Sequence, residues 1–558
     1  MRRRCVTVVA AVAALLASGL LPEAHASAGP GAAVRLARPQ PAPKADLGRS
    51  AARQLLGRGY LVPEPGRYDR AKRILSGRPA AGAASHRPVA AASGPTTVRK
   101  WHGIFDPRAT PPDATGAIGP GRYVQLVNTR FGIYRTDGHK LSSGDLGVFT
   151  GMGLNYPFLT DPQIIWDAGT RRFYYIVLDF DLAVIANPNR SNHIDFAFGF
   201  SKTSMPNNAG DWCKYTLSLG YDDPHDGQFL VPDQPHLGDT SDFLLWGVNA
   251  FDVREFPRYV GADVDWLTKP PGGRSCPRGD VLETGRQRKL RTPSGSLAFT
   301  PVVANQIDPA RAGWVVAAKH LPTARSSAST LSLFHVRPSG HGTPAVQDRG
   351  TAVNVRRYSL PPPARQARGG PGNRLDTLDA RLTQAVSAND PGHGRVGLWT
   401  QHTVAGGGGS RVQWYEVDPA HHRLFQQGVV SDPDLFAFNA AISPDRVVRQ
   451  GVRRFGRAMV LGYNTSSRAT DAAVRMVSKR GTAPQSDPVV VQRSPGPAVD
   501  GTCRQFGVCR WGDFPGASPD PSANVHEPGG RVWLTNMWNV DNTPHKIDWR
   551  TVIWKAAP

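Results

Sequence analysis

The stretch 161–180, DPQIIWDAGTRRFYYIVLDF, decides the fold. It holds an apolar segment, DPQIIWD (161–167), then a polar turn, then the run FYYIVLDF (173–180). Both segments are rich in β-branched and aromatic residues and too short for typical helices, so the pattern predicts two strands joined by a hairpin. A third extended stretch, IDFAFGFSK (194–202), follows.

This unit recurs. Runs matching 173–180 are YVQLVN (123–128), FLLWGVN (243–249), WVVAAKH (314–320), VGLWTQH (396–402), AMVLGYN (458–464) and VWLTNMWN (532–539). Segments matching 161–167 are ATGAIG (114–119), DQPHLGD (233–239), FTPVVAN (299–305), DARLTQAV (379–386), FNAAIS (438–443) and WGDFPGAS (511–518). Seven units of at least three antiparallel strands predict an all-β chain, a seven-bladed β-propeller. A six-bladed ring with one misread unit and a β-sandwich followed by a smaller propeller are the alternatives. Units one to six have fourth-strand candidates such as CKYTLSL (213–219) and PVVVQRS (488–494), whereas the last unit ends the chain. TTVRKW (96–101) resembles a fourth strand and stands before the first unit, so an N-terminal strand is expected to close the last blade and remove its open edge.

Outside the repeat, Met1–Ala28 reads as a secretory signal, with Arg2, Arg3 and Arg4 ahead of an apolar run and small residues at Ala24, Ala26 and Ala28. Residues 29–95 read as an Ala/Pro/Arg-rich linker or propeptide, with helical stretches at Ala51–Leu56 and Tyr68–Leu75, and 96–558 as the propeller domain. The 558 residues carry a net charge of +22, concentrated in the leader: residues 29–99 hold 11 Arg and two Lys against Asp46, Glu64 and Asp69. In an exported chain that charge points to anionic cell-wall polymer rather than nucleic acid. Gly 59 and Pro 49 suit a turn-rich all-β protein. A secreted monomer with no membrane span after signal cleavage is expected. Cys213, Cys276, Cys503 and Cys509 form an even set after cleavage and predict two disulfides. Four cysteines allow three pairings; the short loop between Cys503 and Cys509 favours their local pairing, leaving Cys213 with Cys276.

In a propeller, the starts of first strands and the ends of second strands converge on one mouth of the central channel. Here those positions hold Asp113, Asp161, Asp233, Asp379, Arg381, Arg510 and Asp513 from first strands, with His320 and His402 among the second-strand ends. Carboxylates and amides in that arrangement suit sugar hydroxyls or a hard cation such as Ca²⁺. No G-x-S-x-G elbow, H-E-x-x-H helix, P-loop or G-x-G-x-x-G turn is present. The expected function is binding of an extracellular carbohydrate or cell-wall polymer at the mouth. The alternatives are a glycoside hydrolase or lyase with an acid–base set drawn from Asp113, Asp161, Asp233, Asp379 and Asp513, and a protein–protein scaffold.

PPDATGAIGPGRYVQLVN (111–128), DPQIIWDAGTRRFYY (161–175), DQPHLGD with FLLWGVNAF, LDARLTQAV with LWTQHTV, and RWGDFPGASPDP (510–521) resemble, in order, segments of a group of exported bacterial proteins near the sialidase-like β-propellers. The resemblance implies the propeller fold and an extracytoplasmic place. Sialidases clamp a carboxylate with three Arg and carry Arg-Ile-Pro and S-x-D-x-G-x-T-W segments; this chain has neither segment, and DAGTRRFYY (167–175) is a loose echo of the second.

Overall fold

The computed structural model describes residues 32–35, 60–77, 93–156, 159–180, 194–221, 230–252, 258–270, 275–277, 281–339, 342–367, 372–449, 452–522, 530–540 and 547–558. The signal segment 1–28 and the helix expected at 51–56 lie outside them. Within them the strands group into seven sheets, each spanning one sequence repeat. Blade 1 covers 115–145, blade 2 159–218, blade 3 230–287, blade 4 299–359, blade 5 382–430 and blade 6 436–493. Blade 7 combines 516–557 with Thr96–His102. The ring is seven-bladed, not six.

Each blade is a meander whose first strand lies innermost, and blades stack face to face. Second strands such as Arg172–Phe180 and Phe243–Asp252 are buried along their whole length. This is why they read as continuous apolar runs rather than as alternating patterns. Apolar clusters fill the seams: Phe196, Phe198 and Trp246 between blades 2 and 3, Val460, Trp538 and Trp554 between blades 6 and 7. At the seam between blades 7 and 1 the backbones almost touch: a Cβ on Gly516 would lie 3.0 Å from the amide nitrogen of Gly116.

Closure follows the sequence expectation. Thr96–His102 pairs antiparallel with Trp549–Ala557, Thr96 opposite Ala557 and His102 opposite Val552. Trp101 locks this strand, its ring 5.3 Å from Trp533, 5.8 Å from Tyr134 and 6.5 Å from Tyr123. Trp101→Ala is expected to cost about 2 kcal/mol, less than a fully buried Trp because its ring is half-buried. Urea unfolding measures this; a cost below about 0.5 kcal/mol, well under any core truncation, would mean that backbone pairing alone closes the ring.

Both disulfides form as the local-pairing expectation has them, Cys213–Cys276 and Cys503–Cys509. The first ties the outermost strand of blade 2 to the loop between the last two strands of blade 3. The leader also contributes to the folded body. Ala32–Arg35 adds a strand to the edge of blade 3, and Pro65–Gly77 forms a helix that buries Tyr68, Ala71 and Leu75. No described helix is long and apolar enough to cross a membrane.

Candidate functional site

Within the first half of each innermost strand, or just ahead of it, one residue has left-handed backbone: Asp113 (φ 49°), Asp161 (53°), Gln234 (53°), Thr300 (47°), Ala380 (69°), Asn439 (49°) and Gly512 (70°). Six of the seven carry a side chain in a conformation that costs about 1 kcal/mol or more and is concentrated at ligand sites. Polar groups at the ends of second strands brace these turns. Asn128 donates to Asp113 Oδ2 (2.7 Å) while its Oδ1 accepts the N–H of Asp161 (3.0 Å), linking blades 1 and 2. Asn249 holds Thr300 through both its amide atoms, at 2.8 and 2.9 Å. Asn439 donates to Asn464 and Asn536, at 2.9 and 2.8 Å. A Cβ on Gly512 would lie 2.3 Å from the Asn439 amide, so only glycine lets blade 7 pass there.

The turns aim their neighbours at the axis, where a single hydrogen-bonded chain crosses the mouth. Arg381 forks onto Asp379 with both bonds at 2.7 Å and donates from Nη1 to Gln234 Oε1. Gln234 Nε2 reaches Asp513 Oδ2 at 3.5 Å. Arg510 joins Asp513 to Asp376 with two bonds of 2.5 Å. Asp161 and Asp233 flank this chain, Asp161 accepting from the Thr160 hydroxyl at 2.9 Å. Asp113, Asp161, Asp233, Asp379, Arg381, Arg510 and Asp513 are all buried.

Electrostatics splits the carboxyls into two classes. Burial would raise Asp379, but the Arg381 guanidinium outweighs it and holds Asp379 below the usual carboxylate value. Burial pushes Asp161 up to about 6 and Asp513 up to about 7, against the opposing pull of Arg510 on both. Asp113 and Asp233 are pushed well above the usual value by burial first and then by the charges of Asp513 and Asp161 respectively. The mouth thus holds a fixed Asp379–Arg381 ion pair beside carboxyls, Asp113 and Asp233 above all, that give up their protons later than an ordinary Asp.

The two histidines differ in role. His402 sits on the bracing layer: its imidazole bonds the Ala380 carbonyl (2.8 Å) and the Tyr415 hydroxyl (2.8 Å), and burial lowers it to about 4. His320 packs edge-on to Phe299 at 4.9 Å, with both ring nitrogens unpartnered, and burial lowers it too. Asp376 and Gln234, absent from the sequence-derived set, complete the chain.

The mouth is also filled. The Tyr60 ring lies between two guanidinium groups, 4.7 Å from Arg381 and 4.6 Å from Arg510. Its hydroxyl donates to Asp376 Oδ1 at 3.3 Å. The Leu61 N–H donates to Asp233 Oδ2 (3.0 Å), and Arg381 donates to the Leu61 carbonyl (3.2 Å). The helix Pro65–Gly77 follows, pinned by Lys72, which donates to Pro361 O, Thr377 Oγ1 and Leu378 O at 2.9, 3.1 and 2.5 Å. Between this helix and the 505–508 loop remains a cavity of about 500 Å³, lined by Tyr60, Arg73, Arg374, Asp376, Phe506 and Arg510 among others.

The acidic and imidazole side chains that come close enough to share a cation lie away from the mouth. Among the described residues these are Asp390, His393 and Glu416, with ligand atoms within 4.8 Å of one another at the far end of blade 5's inner strand. There Asp390 caps its hairpin by accepting the Gly392 N–H (2.7 Å), just as Asp167 accepts Gly169 N–H (2.8 Å) in DAGTRRFYY. Among the described residues the mouth holds no such compact donor set.

No protein-family model matches the chain, and no curated protein matches it. Solved structures do. A Trypanosoma rangeli sialidase in complex with sialic acid is 10% identical over 79% of this chain, with a TM-score of 0.35, and the match spans 60% of that sialidase's length. The parainfluenza virus 5 hemagglutinin-neuraminidase is 8% identical over 77% of this chain and 98% of its own, with a TM-score of 0.36. A Synechocystis apocarotenoid oxygenase variant is 12% identical over 69% of this chain and 72% of its own, with a TM-score of 0.37. Likeness at this level assigns no activity to the chain.

Proposed function

We propose that the mouth binds an extracellular carbohydrate or cell-wall polymer. The observation that carries this is a set of buried polar atoms without partners around one axis. They are the carboxyl oxygens Asp113 Oδ1 and Asp513 Oδ1, the acceptor Asn439 Oδ1, the donor Arg510 Nε and the ring nitrogens of His320. Buried unpartnered polar atoms are costly and rare, and sugar hydroxyls, each both donor and acceptor, satisfy such mixed sets. Two disulfides and the absence of a membrane-crossing helix among the described residues are compatible with a secreted protein.

A hydrolase or lyase is the second reading, favoured by Asp161 and Asp513. Carboxyls that hold protons near neutrality are suited to general acid–base work.

The test is a thermal-shift screen of sugars and wall polymers, run on the wild-type chain and on a Tyr60→Ala chain whose mouth is less filled. Asp161→Asn combined with Asp233→Asn is expected to weaken the best ligand at least about tenfold, the loss of one or two hydrogen bonds. Turnover of that ligand then separates binding from hydrolysis. The absence of binding by both chains would overturn the reading.

A further inference from the structure

The segment that fills the mouth belongs to no blade. The seven sheets are complete without residues 60–77, and the ring closes at Thr96, downstream of them. Its apolar side chains Val62, Tyr68, Ala71 and Leu75 pack with Leu321, Leu360 and Leu378 of the ring, but its polar contacts at the mouth are those of a ligand. Tyr60 is held by two cation–π faces and a carboxylate, and the Leu61 peptide unit is read at both ends, N–H by Asp233 and C=O by Arg381. All four partners come from the mouth set. The helix behind it is packed on one side only, because the cavity of about 500 Å³ separates it from the 505–508 loop and leads to Tyr60 and Arg510. Lys72, its buried anchor, bonds three neutral oxygens. A buried cation without a bonded carboxylate is a weak fastening.

Resting on the reading that the mouth is a binding site, we propose that Tyr60–Gly77 is a resident plug: an intramolecular peptide ligand that occupies Asp233, Arg381 and Arg510 and must leave before an external ligand reaches them. Apparent affinity then scales with the fraction of molecules whose plug is out. A plug seated in about 99% of molecules weakens external binding about a hundredfold.

The plug is tested on the full-length chain in two ways. Cleavage inside a helix requires local opening, so limited trypsin digestion at Arg70, Lys72 and Arg73 reports plug release. Tyr60→Ala is expected to raise that rate at least tenfold while the main unfolding transition persists. Leu61→Asp, which sets a carboxylate in the apolar cluster where the Leu61 side chain packs, provides a second route to the same release should the first variant fold poorly. A labelled peptide of residues 58–77 is then titrated onto these variants. It is expected to bind them at least tenfold more tightly than wild type, and the same peptide carrying Tyr60→Ala is expected to lose that binding. Unchanged cleavage, or faster cleavage without peptide binding, would overturn the proposal and leave the segment a permanent part of the fold. Peptide binding without any sugar binding would uphold the plug while removing the carbohydrate reading.

Discussion

Replacing Arg510 with methionine is expected to cost about 3–5 kcal/mol of stability, the largest effect of any single substitution at the mouth. Arg510 is essentially inaccessible to water and bonds Asp376 and Asp513 at 2.5 Å each, with its plane against the Tyr60 ring. Removing it leaves two buried carboxyls, Asp376 and Asp513, without the cation that joined them. The cost comes from that uncompensated pair more than from the lost attraction, since a buried ion pair gains little over a well-packed apolar replacement. Two controls follow. Arg510→Lys keeps the charge but not the two-pronged geometry and falls between wild type and methionine. Arg510→Met combined with Asp376→Asn and Asp513→Asn recovers most of the loss. Urea midpoints at unchanged slope provide the measurement. A cost below about 1 kcal/mol for Arg510→Met, the range of an exposed ion pair, would mean that water enters the mouth.

The second large effect is a pH dependence. Asp161 titrates at about 6 in the folded chain, against 3.8 for an unperturbed carboxyl, because burial disfavours its charge. The folded state therefore holds this proton more tightly than the unfolded state. The stability so contributed is fully present below about pH 4 and is lost as pH rises through about 6. The difference is on the order of 3 kcal/mol. Relative to wild type, Asp161→Asn is thus expected to gain stability on going from pH 4 to pH 7.5, since it has no charge to bury. Asp379 works with the opposite sign. Its value is held down by Arg381, so its contribution is present at neutral pH and fades as pH falls. Denaturation curves of the two chains at four or five pH values decide the matter. A wild-type-to-variant difference that stays flat would mean that Asp161 is ionised at all of them.

Strand order and blade number were legible because the repeat is. Each blade repeats one apolar run that is buried on both faces and one shorter segment that begins at a turn, and Asp161–Phe180 displays both within twenty positions. The phase of the polar residues was legible for the same reason. Their division of labour was not. Asn128, Asn249 and His402 stand at equivalent strand ends and read like lining groups, yet they hold the left-handed turns of their own or the next blade. Sequence spacing gives no φ angle for a non-glycine residue, so the need for a brace at Asp161 or Ala380 is invisible in it. Asp376 was missed because it lies in the loop ahead of the inner strand of blade 5, outside the repeat. Tyr60 was missed because its surroundings are rich in Ala, Arg and Pro. The signal that finds it is the short apolar patch YLVP (60–63) followed by Tyr68, Ala71 and Leu75 at helical spacing.

Blade 7 joins Thr96–His102 to strands within 516–557, and this dictates when folding can finish. Thr551 bonds Ile104 across 447 positions, and Tyr60 meets Asp376 across 316. The contacts that close the ring cannot form while a ribosome is still delivering the last blade. Thr96–His102, made before any blade, is thus among the last strands to find its partner, and an incomplete chain presents the unpaired edge of its latest blade. Contacts this remote slow folding, and open β edges invite association with other chains. Yield from refolding should therefore fall with chain concentration, and a chain cut short by even its final strand should be recovered as aggregate rather than as a six-bladed remnant.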